Sequence, residues 1–132
     1  MSLSKINLNN FRSFKDSSFN LKKNNLILGQ NGAGKSSFLE AIFFIFSKKS
    51  FRTSSPNAMI NFESNFFNVV AILDGKKLSF TKDLSSSIKS KEGNIQNDFM
   101  PLVLNNFSLN LLEAPKENRR SFICLLYTSP SP

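Results

Sequence analysis

The order of apolar and polar residues predicts an α/β domain. Residues 3–9 alternate apolar and polar side chains, as a half-buried strand does, and residues 19–21 and 26–28 are shorter strand-like runs. Residues 37–46 are apolar on nearly every helical face, which predicts a helix that lies inside a core of sheet and helices.

Two later apolar runs, residues 68–73 and 77–81, bracket Asp74-Gly75, a strong signal for a hairpin turn. An alternative stays open, because an apolar run that ends in Asp places Mg²⁺ in some nucleotidases, such as small GTPases. The second amphipathic run favours the hairpin, and no Glu or Gln follows Asp74 to position an attacking water.

The remaining segments give weaker signals. They predict, in chain order, a polar connection (47–57), a surface loop (84–98), a short strand (102–104) and a helix that starts at Lys116 behind Pro115.

Length and composition limit the class of protein. A chain of 132 residues has room for one domain. It contains no apolar run near the roughly 18 residues of a membrane span and no basic segment followed by an apolar one at its start. One cysteine excludes an internal disulfide, and the absence of histidine argues against zinc or histidine chemistry. We therefore expect a cytoplasmic protein without a membrane partner.

The net charge of +8 is compatible with a polyanionic partner such as DNA. The abundant lysine, asparagine and phenylalanine also follow from AT-rich codons, so charge alone does not establish a nucleic-acid partner. Arginine is more informative, since four of the 17 basic residues are arginines and the guanidinium group suits bidentate contacts with phosphate or carboxylate. These are Arg12, Arg52, Arg119 and Arg120.

A glycine-rich loop carries the clearest chemistry. Residues 29–36 match the pattern Gly-x-x-x-x-Gly-Lys-Ser, between an apolar run and an apolar helix. In such a loop backbone N–H groups surround a triphosphate, the lysine reaches the β and γ phosphates and the serine hydroxyl ligates Mg²⁺. We therefore predict ATP and Mg²⁺ as cofactors, with Ser36 as the metal ligand. The candidate ligands are Gly29, Gln30, Asn31, Gly32, Ala33, Gly34, Lys35 and Ser36.

The segments around this loop resemble a known family. Residues 3–14 and 28–42 resemble the start of the SMC-like ABC ATPase heads of DNA repair. Within that group, Ser50-Phe51-Arg52-Thr53-Ser54 and residues 111–123, with a proline followed by paired arginines, are similar to the RecF family of bacterial DNA replication and repair proteins.

The resemblance implies a fold and an activity. Residues 1–123 would form the N-terminal lobe of an ABC-type P-loop ATPase head, a mixed sheet with a buried P-loop helix, truncated before the signature and Walker B motifs. Residues 124–132 resemble translated adapter or vector sequence and are predicted to be non-native; a natural Pro/Ser-rich terminus is the alternative.

The whole family protein would be a slow ATPase that acts in replication, gap repair and the SOS response. ATP would close a homodimer around duplex DNA near single-strand gaps, and recombination mediator proteins would be its partners.

The arginines have open roles at this point. The resemblance implies that Arg12 lies near the nucleotide or the DNA side, and that Arg52 is structural or adjacent to the nucleotide. Arg119 and Arg120 would either hold lobes together through carboxylates or contact DNA. Two other functions remain as alternatives: another P-loop protein, such as a transporter ATPase or a GTPase, and a non-functional fragment.

Overall fold

A computed structural model describes residues 2–92, 101–104, 116, 117 and 120, and the chain divides into two compact units, residues 1–95 and 96–132. The first unit contains a five-stranded sheet, one α-helix and a short 3₁₀-helix at Pro56–Met59. Its elements are β1 (Leu3–Phe11), β2 (Phe14–Asn20), α1 (Lys35–Ser47), β3 (Phe66–Leu73), β4 (Lys76–Asp83) and β5 (Lys89–Glu92).

The strands lie in the order β2-β1-β3-β4-β5. Ile6 of β1 pairs with Phe19 of β2 on one side and with Ala71 of β3 on the other. Each neighbouring pair among the described strands is antiparallel. The α/β prediction is confirmed, and the parallel component of the predicted mixed sheet does not occur among these five strands.

The core lies between one face of the sheet and α1. Alternation along β1, β3 and β4 turns apolar side chains to that face. Phe44 of α1 contacts three rings there, with centroid distances of 6.3 Å to Phe11, 5.5 Å to Phe67 and 5.6 Å to Phe80. Each fully buried ring of this kind contributes roughly 1.5–3 kcal/mol of hydrophobic free energy. On the opposite side of α1, Leu39 stays half exposed, so the described residues do not enclose the helix on every face.

The turn between β3 and β4 confirms the predicted hairpin. Asp74 and Gly75 both have positive φ, 49° and 75°, as a two-residue hairpin turn requires. The carboxylate of Asp74 accepts a hydrogen bond from the backbone N–H of Ser2 at 2.7 Å. Asp74 therefore joins the turn to the start of β1, which does not favour the interpretation as a GTPase metal ligand.

Four strand and loop predictions differ from the structure. The strand predicted over residues 19–21 is only the end of β2, which begins at Phe14 and stops at Asn20. Residues 26–28, predicted as the strand before the glycine-rich loop, form no strand, because no described strand runs beside them; Ile27 packs on the core while Leu26 and Leu28 are exposed. Residues 89–92, predicted as loop, form the edge strand β5. Its sequence is polar and charged, so a search for apolar runs does not detect it. Residues 102–104, predicted as a strand, form none.

In the second unit, Lys116, Glu117 and Arg120 are helical, in agreement with a helix that starts behind Pro115. Arg120 is exposed. Arg119 and the predicted non-native tail, residues 124–132, lie outside the described residues. Within the part of the chain that the structure describes, no helix has the length and apolarity to cross a membrane.

Candidate phosphate-binding site

The glycine-rich loop makes a turn that its glycines permit. Gly32 and Gly34 have φ values of 83° and 97°, in the left-handed region that favours glycine. A Cβ atom on Gly34 would lie 3.0 Å from Cζ of Phe14 and 3.2 Å from Oγ of Ser13. Both the backbone conformation and the close approach of the β1–β2 turn therefore select glycine at position 34.

Lys35 folds back across this loop. Its ammonium group donates hydrogen bonds to the carbonyl oxygens of Gly29 and Gln30, the second at 2.8 Å. The loop is also closed by a backbone bond from the N–H of Ala33 to the carbonyl of Gln30 at 3.1 Å. A cation is thus placed against the loop by the loop's own carbonyl groups.

The N-terminus of α1 leaves the loop without a side-chain cap. Gly34 occupies the N-cap position, and the first turn of α1 contains no acidic residue. The first backbone N–H groups of a helix have no partner within the helix, and they carry a partial positive charge. An anion at this end of α1 would accept hydrogen bonds from these N–H groups and would be attracted by their positive charge.

The loop and the helix start line a cleft of about 390 Å³. Its lining combines hydroxyl groups, backbone and two cationic side chains. The lining residues are Ser13, Asn31, Gly32, Gly34, Lys35, Ser36, Ser37 and Arg52.

The structure thus brings five of the eight predicted loop ligands to one cleft, together with Arg52. Gly29 and Gln30 contact Lys35 from the same loop. The guanidinium group of Arg12 points instead at a carboxylate, and Arg120 lies in the second unit.

That carboxylate belongs to Glu40, a residue that sequence reasoning missed. Glu40 lies on α1 with a fully buried side chain, and Arg12 donates two hydrogen bonds of 2.8 Å to its two oxygens. The hydroxyl of Ser50 also donates to Glu40. A single carboxylate inside an apolar helix was the available signal, because a buried charge requires partners. The sequence could not name those partners.

The backbone of Arg12 is held as firmly as its side chain. Its N–H donates to the carbonyl of Met59 at 2.8 Å, and its carbonyl accepts from Nδ2 of Asn61 at 2.5 Å. These bonds support a left-handed backbone at Arg12, with φ of 52°. The β1–β2 turn, the segment after the 3₁₀-helix and α1 are therefore linked through Arg12.

The loop sequence, its two positive-φ glycines and the uncapped helix that follows define a phosphate-binding loop of the kind found in nucleotide-binding proteins. The sequence matches the family described as AAA ATPase domain over residues 1–128, and the chain belongs to this family.

Individual relatives place the chain more narrowly. It is 29% identical over 136 residues to a "DNA replication and repair protein RecF" of Acetivibrio thermocellus, covering 93% of this chain and 37% of that protein. The protein of the same name from Actinobacillus pleuropneumoniae serotype 5b is 32% identical over 136 residues, with coverages of 93% and 38%. The protein of that name from Francisella tularensis subsp. novicida is 43% identical over 68 residues, which cover 51% of this chain and 20% of that protein.

Two solved structures are similar to this chain in fold. The structure described as "the recombination mediator protein RecF-ATP in RecFOR pathway" has a TM-score of 0.74 at 24% identity, covering 93% of this chain and 37% of that chain. A second, described as RecF-ATPrS in the same pathway, has a TM-score of 0.75 at 25% identity, with coverages of 92% and 37%. The chain is RecF-like and similar to the N-terminal part of the RecF head. It spans little more than a third of the first two relatives and of both solved structures.

Proposed function

We propose that this chain binds ATP through residues 29–36, as the nucleotide-binding part of a RecF-like, ATP-dependent DNA-binding protein. The observation that carries the proposal is the cleft that the loop, the uncapped start of α1 and Lys35 line together. Phosphate oxygens would replace the loop carbonyls as partners of Lys35, while the backbone N–H groups of the loop and of α1 would bind the remaining oxygens.

The residues at the cleft also fit Mg²⁺. Ser36 lies in the first turn of α1 and lines the cleft. Mg²⁺ in nucleotide sites takes one or two protein oxygens and completes its shell with phosphate oxygens and water. The hydroxyl of Ser36 would supply one such oxygen, and the ion would neutralise charge on the β and γ phosphates.

The wider activity belongs to the whole protein. We propose that it is a slow ATPase in replication, recombinational gap repair and the SOS response. It would bind duplex DNA and single-strand gaps as an ATP-dependent homodimer, with recombination mediator proteins as partners. The net charge of +8 suits a DNA partner, and the proposed location is the cytoplasm. Roles of Arg12, Arg119 and Arg120 at nucleotide or DNA stay predictions.

Substitution of Lys35 tests the nucleotide site. We expect Lys35→Ala to weaken ATP binding about 100-fold, because a charged hydrogen-bond donor to phosphate is lost. Titration calorimetry with ATP and Mg²⁺ measures the change. Lys22→Ala is the matched control, since it removes the same charge from an exposed position in the turn before the loop. Equal ATP affinities of the two variants, or no ATP binding by the parent chain, would contradict the proposal.

A further inference from the structure

The sequence contains a single asparagine that is followed by glycine, and it lies in the glycine-rich loop. Asn31 and Gly32 are both exposed there, and both line the cleft. Asparagine is a thermolabile residue, and its side-chain amide is lost most readily before glycine, which has no Cβ to hinder attack by its own backbone nitrogen. The most labile asparagine of the chain therefore lies where phosphate is proposed to bind.

The fold leaves the reacting groups of this pair unrestrained. Among the described residues, no hydrogen bond holds the side chain of Asn31 or the backbone N–H of Gly32. A Cβ atom on Gly32 would have no heavy atom within 4 Å, so there is room for a ring at this position. Asn25 differs, because its Nδ2 donates to the carbonyl of Lys22 at 2.7 Å and its Oδ1 accepts from the N–H of Lys22 at 3.0 Å.

We propose that Asn31 is a deamidation site and that a nucleotide in the cleft suppresses the reaction. The backbone nitrogen of Gly32 attacks Cγ of Asn31, and the new C–N bond closes a succinimide ring. Nδ2 leaves as ammonia, which carries away the proton of the Gly32 N–H. Water then opens the ring at either carbonyl and leaves aspartate or isoaspartate at position 31. Each event exchanges an ammonia for a water and adds a negative charge to the cleft.

The effect of nucleotide rests on the proposed function, because it needs phosphate in the same cleft. Phosphate oxygens would accept hydrogen bonds from the backbone N–H groups of the loop and would fix its conformation, which hinders the attack of Gly32 on Asn31. The product would act against binding, since a carboxylate in the cleft lining repels phosphate. An empty loop would therefore lose its affinity for nucleotide with time, and an occupied loop would keep it.

The first test measures deamidation by mass spectrometry after the full 132-residue chain is incubated at mildly alkaline pH in water labelled with heavy oxygen. Tryptic cleavage after Lys23 and Lys35 releases residues 24–35 as one peptide, which contains both Asn31 and Asn24. Asn24 is the internal control, since it is exposed and is followed by Asn25. We expect Asn31 to deamidate at least about 10-fold faster than Asn24, a difference of about 1.4 kcal/mol in activation free energy.

A parallel incubation in urea gives the rates of the unfolded chain. Equal rates at Asn31 and Asn24 in the folded chain would overturn the modification site, and so would a folded chain that stays intact at Asn31 while the unfolded chain reacts.

The second test repeats the folded incubation with ATP and Mg²⁺. ATP at ten times its Kd leaves about a tenth of the loops empty, so we expect deamidation at Asn31 to slow about 10-fold and that at Asn24 to stay the same. An unchanged rate at Asn31 in a chain that binds ATP by calorimetry would overturn the protection and leave the proposed function intact. A chain that binds no ATP would overturn the proposed function, while the comparison with Asn24 would still decide the modification site.

Two variants test the consequence for binding. Asn31→Asp carries the charge of the product, and Asn31→Ser has a neutral side chain that forms no succinimide. We expect Asn31→Asp to bind ATP about 10-fold more weakly than Asn31→Ser, because its carboxylate repels phosphate. Incubation without nucleotide should lower the fraction of parent chains that bind ATP, whereas Asn31→Ser should keep its own starting value. Equal affinities of the two variants, or an equal decline in the parent and Asn31→Ser, would overturn the proposed loss of binding.

Discussion

Phe44→Ala is expected to lower the free energy of unfolding by about 3–5 kcal/mol, the range observed for loss of a buried aromatic side chain. Phe44 is fully buried and contacts Phe11, Phe67 and Phe80, so its removal leaves a cavity between α1 and three strands of the sheet. Because Phe11 and Phe67 already contact each other, with ring centroids 5.2 Å apart, they have little freedom to fill the cavity. Urea unfolding followed by far-UV circular dichroism measures the change.

Phe62→Ala is the control for this experiment. Phe62 is 90% exposed, so the same change of side chain should alter the free energy of unfolding by less than about 0.5 kcal/mol. Losses of similar size in Phe44→Ala and Phe62→Ala would show that α1 does not pack on the sheet as described.

Arg12→Met is expected to cost about 3 kcal/mol of unfolding free energy, because it leaves the buried carboxylate of Glu40 without its bidentate partner. The double variant Arg12→Met with Glu40→Leu should lose less, about 1 kcal/mol, since an apolar pair of similar volume carries no uncompensated charge. Denaturant unfolding of both single variants and the double variant gives the coupling energy directly.

Lys15→Met provides the comparison for Arg12→Met. Lys15 forms an ion pair with Glu63 in which both side chains are largely exposed, and such surface pairs contribute about 0–1 kcal/mol. Two results would contradict a stabilising pair between Arg12 and the buried Glu40. One is a loss of unfolding free energy in Arg12→Met no larger than that in Lys15→Met, and the other is a double variant that is the least stable of the set.

The elements that sequence predicted well carry their signals locally. Strand β1 alternates, α1 is a continuous apolar run behind a glycine-rich loop, and the β3–β4 hairpin has two turn residues that suit positive φ. Each pattern lies within one element and needs no knowledge of its neighbours. The loop ligands were predictable for the same reason, because the phosphate-binding pattern is contiguous.

The errors arise where structure depends on a partner. Residues 26–28 form a short apolar run like that of a buried strand, yet a strand exists only beside another. Strand β5 is polar because it lies at the edge of the sheet, and its pairing with β4 defines it. The Glu40 cluster joins Arg12, Arg52 and Ser50 through the topology of the chain, and sequence spacing does not express such proximity.

The sheet order also determines how the site forms. Strand β1 lies between β2 and β3 although β3 begins only at Phe66, so the loop, α1 and the segment carrying Arg52 all belong to one long chain loop closed by β1–β3 pairing. The entropic cost of closing a loop rises only slowly with its length, and the pairing of β1 with β3 offsets that cost for the whole loop. Separation of β1 from β3 would remove the pairing that closes this loop. Nucleotide affinity and sheet integrity should therefore be lost together in a single cooperative transition.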